Sequence, residues 1–220
     1  MGERQEKRDY LAQAWLVIVL ALLYGGALAT VQTALSGRIA ENKRNETYNV
    51  IPDLVPGADK ARTAEVVVVG GNGKEVRVYR AFSPDGTPCG WVLPSSGQGF
   101  ADRIELLVGL DAPCSVITGV YILDQKETPG LGDYITGEDF RDRFRAKPTA
   151  EPLVVVKTDP RTETEIRVLT GATISSESVS GIVNAAVRNL KGPLLGLIES
   201  QVSPAPETRG VETPSSSGGS

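Results

Sequence analysis

The stretch LTGATISSESVSGIVNAAVRNLKG, residues 169–192, divides into a permissive leader and a patterned helix. Ile174, Val179, Ile182, Val183, Ala186, Val187 and Leu190 recur at steps of three and four, which places them on one helical face. Ser175, Ser176 and Glu177 suit the first turn, with hydroxyls that can cap and a carboxylate at the positive end. Lys191, Gly192 and Pro193 are expected to close the helix. The leader Thr170-Gly171-Ala172-Thr173 therefore ends where free amide N–H groups point outward, a position suited to a phosphate. Small hydroxyl residues at that place also serve as ordinary caps, and the stretch taken alone does not separate the two roles.

The rest of the chain narrows the choice. Its 220 residues suffice for one domain with extensions, and a net charge of −4 argues against a nucleic-acid binder working through a basic surface. Histidine is absent, which removes histidine-ligated zinc or haem and any histidine base. Aromatic residues are only 5%, so a core must be built from Val, Ile, Leu and Ala. Cys89 and Cys114 form neither a zinc quartet nor a CxxC motif. Each lies at the edge of a predicted strand, and in an oxidising compartment the two could pair.

Near the N-terminus, LAQAWLVIVLALLYGGALATVQTAL (residues 11–35) carries no charge. As a helix rising about 1.5 Å per residue it outreaches a hydrocarbon core of roughly 30 Å. We expect a retained membrane span over 10–37. The rival is a cleaved signal peptide, since Ala27-Leu28-Ala29 has the A-x-A form; apolar residues continuing past it favour the span. Flanking charges are balanced, and either reading exports the bulk of the chain.

Beyond the span, residues 38–62 suggest a short polar helix and a proline-broken connector. Strand character follows over 65–69, 75–82, 90–93, 104–110 and 116–123, with turn signals between. A helix is expected over 135–146, and further strands over 153–157 and 166–169. From Ser203 the chain is rich in Pro, Ser, Gly and Thr and is expected to be disordered. The fold class is α+β, with an antiparallel or mixed sheet of five to seven strands and packed helices behind a single N-terminal transmembrane helix.

A second stretch stands out, DQKETPGLGD at 124–133. Pro129-Gly130 and Gly132 dictate a tight backbone, and Leu131 stands alone between glycines where a turn is normally polar. Such a residue either covers something flat and apolar or tucks onto the core.

Together with GFADRIELLVGLD (99–111), ITGVYILDQKETPGLGD (117–133) and TGATISSESV (170–179), these features give a specific resemblance. The chain resembles the G subunit of the Rnf electron-transport complex. More broadly it resembles the covalent FMN-binding domains shared with the C subunit of the sodium-pumping NADH:quinone reductase. The similarity covers most of the chain to about residue 198.

The resemblance implies FMN joined by a phosphoester to Thr173, placed there by a flavin transferase with FAD as donor. Thr170, Gly171 and Ala172 complete the motif, and Ser175 and Ser176 are expected to donate to the phosphate. Glu127, Thr128, Pro129, Gly130, Leu131 and Gly132 form the loop expected against the isoalloxazine ring. The family often carries an acid where Arg167 stands, and a histidine where Gln125 stands.

The domain plan is then a tail at 1–9, the anchor at 10–37, a connector at 38–62, the FMN-binding domain at 63–198 and a tail at 199–220. The implied role is a single-pass flavoprotein of the bacterial inner membrane, its FMN domain on the exported side. It would relay electrons among other membrane and redox subunits, in contact with lipid and without nucleic acid or independent catalytic residues. Alternatives are a C-type quinone-reductase subunit, or a flavin-free exported module for which Arg167 speaks.

Overall fold

The computed structural model describes residues 2–202, with side chains over 14–200; the expected disorder from Ser203 lies outside the described residues. Helix α1 runs unbroken from Gly2 to Leu54. Its apolar part is long enough to cross a membrane, and it stays bare, with Trp15, Leu16, Leu22, Leu23 and Leu28 more than half exposed. Of the short helix and connector expected over 38–62, residues 38–54 are instead the continuation of α1, and the chain then turns into a strand that begins at Asp59. The reason is tertiary: Ile51 and Leu54 are buried on the sheet, while Pro52 falls only in the last turn and Pro56 lies just beyond the helix.

Five strands follow as a meander: β1 (Asp59–Val69), β2 (Glu75–Phe82), β3 (Pro88–Gln98), β4 (Arg103–Asp111) and β5 (Val116–Asp124). With β6 (Lys147–Pro148) they form one six-stranded sheet in sequence order, every pair antiparallel. A separate parallel pair joins β7 (Val154–Val156) to β8 (Glu165–Arg167). The last helix, α3, spans Thr173–Val202.

Both sheet faces are covered, which explains the near-continuous burial of β4. Ile104, Leu106, Val108 and Leu110 face one core with Trp91, Leu93 and the α3 residues Val179, Val183, Ala186 and Leu190. Leu107 faces the other, with Tyr79, Ala81, Val92 and the α1 residues Ile51 and Leu54. On β5 the parity changes, because Gly109 pairs with Gly119 but Leu110 with Ile117. The extra residue, Thr118, is a bulge that lets Ile117 and Val120 share a face.

Two further expectations need correction. α3 does not close at Pro193 but runs to Val202. Proline there lacks the N–H that would bond Asn189 O, and that carbonyl accepts the Gly71 N–H at 2.8 Å instead. Leu194 beyond it is fully buried, so packing offsets the break. The helix expected over 135–146 is broken into a 3₁₀ turn (Gly132–Thr136), a four-residue α2 (Glu138–Arg141) and another 3₁₀ turn (Asp142–Phe144). Gly137 is extended (ψ 145°) and splits it, while Ile135, Phe140 and Phe144 still reach the core. The sequence left the pairing of Cys89 with Cys114 open, and in the structure both are free. The Cys114 thiol is buried, and burial pushes it up to about 12, far from the thiolate that oxidation requires.

The C-terminal part of α1 is clamped to the sheet. Lys43 Nζ donates to Asp124 Oδ2 (2.7 Å) on β5 and Glu105 Oε2 (2.8 Å) on β4, and Tyr121 Oη donates to Glu46 Oε1 (2.8 Å). The hydrogen bond to Asp124, followed by that to Glu105, raises the Lys43 ammonium above its ordinary 10.5. A raised folded value means the stabilisation is fully present below 10.5 and fades as pH climbs through the folded value. All three side chains are 31–43% exposed, so solvent screening holds the network's contribution to about 1 kcal/mol. Lys43→Met should therefore lower the unfolding free energy by about 1 kcal/mol at neutral pH and by much less in molar salt. Urea titrations at two salt concentrations check this, and a salt-independent loss would mean that packing of the lysine stem dominates.

Candidate functional site

Two turns of one kind build the site. Thr128-Pro129-Gly130-Leu131 is closed by Leu131 N–H donating to Thr128 O at 3.1 Å, with Gly130 at φ 76°. Leu169-Thr170-Gly171-Ala172 is closed by Ala172 N–H donating to Leu169 O at 3.0 Å, with Gly171 at φ 86°. In each, glycine holds the third place, where a type II turn demands positive φ. The second turn delivers the chain into α3 at Thr173. Ser176 N–H donates to Ala172 O at 2.9 Å and begins the helical ladder, so the N–H groups of Thr173, Ile174 and Ser175 lie ahead of it.

The turns meet at a cleft of about 320 Å³, lined by Thr128, Leu131, Gly132, Gly171, Ala172, Thr173, Ile174, Ser175 and Phe100. Leu131 is 49% exposed, Ile174 52% and Phe100 61%, three large apolar side chains left in water around one opening. An exposed apolar patch rimmed by polar groups marks a binding place. Leu131 thus does not tuck onto the core. Ile174, read from its periodicity as a core residue, also faces the cleft and not the sheet.

The hydroxyls of the motif have different surroundings. Ser176 Oγ is buried, donates to Ala172 O (2.8 Å) and accepts from Leu169 N–H (3.2 Å). Ser175 Oγ is buried and donates to Glu127 Oε2 at 2.6 Å. Both are committed to protein acceptors, which leaves backbone N–H groups as the donors available to an anion. Thr170 is exposed and does not line the cleft. Thr173 lines it half-buried, and its hydroxyl has no protein partner among the described residues.

Glu127 is buried, 4% exposed, while Pro129 and Gly130 are exposed at the outer bend of their turn, and none of the three lines the cleft. Arg167 turns to Asp159, an ion pair at 2.8 Å in the open. Arg143 Nη1 donates to the carbonyls of Arg167 (2.7 Å) and Val168 (3.0 Å), bracing the strand that leads into the motif.

Phe100 is the residue that sequence reasoning missed. Its signal was an aromatic in the turn between two predicted strands, directly after Gly99. Apolar walls, with N–H groups at a helix start and a hydroxyl between them that have no partner among the described residues, fit a flat ring joined to a phosphate.

Comparison with known proteins agrees. The FMN-binding domain family model matches residues 99–188. The chain is 31% identical over 184 residues to the G subunit of the Na(+)-translocating ferredoxin:NAD(+) oxidoreductase complex of Acetobacterium woodii, covering 79% of this chain and 87% of that one. It is 29% identical over 193 residues to the G subunit of the proton-translocating ferredoxin:NAD(+) oxidoreductase complex of Clostridium ljungdahlii, covering 86% and 96%. Its fold is that of the NqrC crystal structure from Shewanella oneidensis, with a TM-score of 0.51 at 21% identity over 58% of this chain and 63% of that one. The chain belongs to the family of G subunits of ion-translocating, Rnf-type oxidoreductase complexes, and its folded body carries an FMN-binding domain.

Proposed function

We propose that this chain is a membrane-anchored electron carrier of an Rnf-type complex, holding FMN through a phosphoester on Thr173 Oγ1. One observation carries the reading. Of the four hydroxyls at the motif, Thr173's is the one that both lines the cleft and has no protein partner among the described residues. In the attachment step Thr173 Oγ1 gives up its proton and forms the bond to phosphorus. The pyrophosphate link of the FAD donor breaks, and AMP departs, on a flavin transferase that supplies the base.

FMN bound there supplies one- and two-electron redox chemistry, which suits a relay between neighbouring subunits. The protein's part is placement. N–H groups at the start of α3 receive the phosphate charge. Phe100, Leu131 and Ile174 keep water from the ring, and no side chain has to act as acid or base. The uncharged stretch of α1 holds the protein in the bacterial inner membrane, with the domain on the exported side. The Lys43 clamp stands roughly 12 Å beyond Leu35 at about 1.5 Å of rise per residue, so the flavin is carried on a stiff mast and not on a tether.

Full-length protein made alongside a flavin transferase should fluoresce in a denaturing gel. Leu131→Ala should keep that band while shifting the native flavin absorbance, because water then reaches one edge of the ring. A wild-type band without fluorescence overturns the attachment; an unchanged Leu131→Ala spectrum overturns the ring contact.

A further inference from the structure

We propose that Glu127 is the positioning residue of this cleft: its buried carboxylate locks three chain segments into one arrangement, and its charge lowers the potential of the flavin they hold. The proposal rests on the FMN reading above.

Each oxygen of the carboxylate is used by a different segment. Oε1 accepts the Ala101 N–H (3.2 Å) from the β3–β4 turn, which carries Phe100. Oε2 accepts Ser175 Oγ–H (2.6 Å) from the start of α3, which carries Thr173 and Ile174. Glu127 itself belongs to the loop of Thr128 and Leu131, and its own N–H donates to Gln125 Oε1 at 2.5 Å. The turn that carries Phe100, the loop of Leu131 and the start of α3 are thus tied to one side chain.

The carboxylate is also walled in. A Cβ added at Gly99 would fall 2.3 Å from Oε1, and one at Gly132 would fall 2.8 Å from Oε2. It therefore has no room to swing away. Among the described residues no cation pairs with it; the neighbouring Lys126 bonds Asp102 instead. Neutral donors and the positive end of α3 alone hold this charge. Burying a carboxylate without a counter-ion is costly, and a neutral amide of the same shape could take a purely structural role at less cost. What the charge adds is an electrostatic effect on the cleft. Electrons arriving on the flavin bring negative charge beside a fixed negative charge, which disfavours reduction.

The test uses the full chain, made with the transferase, as wild type, Glu127→Gln, Ser175→Ala and the double variant. Thr173 is intact in all four, so covalent flavin should still form, at reduced yield where the lock is broken, and each readout is taken per bound flavin. Iodide quenching of the native flavin should rise severalfold in each single variant and no further in the double, because the two side chains act as one unit. The midpoint potential should move positive in Glu127→Gln and stay near wild type in Ser175→Ala, which keeps the charge. Wild-type quenching and potential in Glu127→Gln, or single effects that add in the double, overturn the proposal. A second arm does not depend on flavin. In a Thr173→Val background, Glu127→Gln should speed amide exchange over 99–102 and 128–132 by about tenfold or more, the scale of one lost charge-assisted hydrogen bond. Unchanged exchange there also overturns it. Flavin missing from the wild type refutes the FMN reading, a failure the exchange arm separates from failure of the Glu127 lock.

Discussion

Thr173→Val, produced alongside a flavin transferase, should fold as the wild type does and carry no flavin through denaturation. Valine keeps the β-branched shape and removes only the oxygen that a phosphoester requires. Because the Thr173 hydroxyl has no protein partner among the described residues, its loss should change the unfolding free energy by no more than about 0.5 kcal/mol, as for an ordinary surface substitution. Thr173→Ser restores the oxygen and should restore flavin in part, since serine's extra rotamer freedom weakens the placement. Thr170→Val should retain flavin, its side chain lying outside the cleft. Fluorescence after denaturation reads all three, and a fluorescent Thr173→Val band would move the attachment to another residue.

The second large effect is expected from Phe144→Ala. Phe144 is fully buried and meets Phe140 edge-on, ring centroids 5.3 Å apart. Truncating such a ring costs about 3–5 kcal/mol. A domain of this size has a total stability of only about 5–15 kcal/mol, so much of the margin is lost. The damage should also reach the flavin. Arg143, next to Phe144, braces Arg167 and Val168 just ahead of the motif, and a loosened segment lets the leader drift. We expect a large drop in the urea midpoint and a lower yield of covalent flavin. A loss below about 1 kcal/mol would mean that the site collapses readily around the gap.

These two residues also show how far sequence reasoning reaches. The strand over 75–82 was legible to the residue because alternation and flanking turn signals agree. The turn at 128–131 was legible because proline and glycine demand it locally, whereas 169–172 was read only as a permissive leader and its turn shows in the positive φ of Gly171. The segment around Phe144 was not: its helical pattern is real, but Gly137 splits it and packing decides the outcome. Pro193 misled for a similar reason, since the carbonyl it frees finds Gly71, a partner far away in the chain. At the site, Thr173 and Leu131 were reachable through motif and resemblance. Phe100 looked like an ordinary turn residue, and the Ser175–Glu127 bond joins positions 48 residues apart, a contact no local pattern encodes.

The most direct measurement is fragmentation mass spectrometry of the tryptic peptide spanning residues 168–188, which cleavage after Arg167 and Arg188 releases from protein made with the transferase. The account predicts one FMN phosphoryl group on that peptide, with fragment ions placing it on Thr173. The group on Thr170, Ser175 or Ser176, or an unmodified peptide throughout, would contradict it.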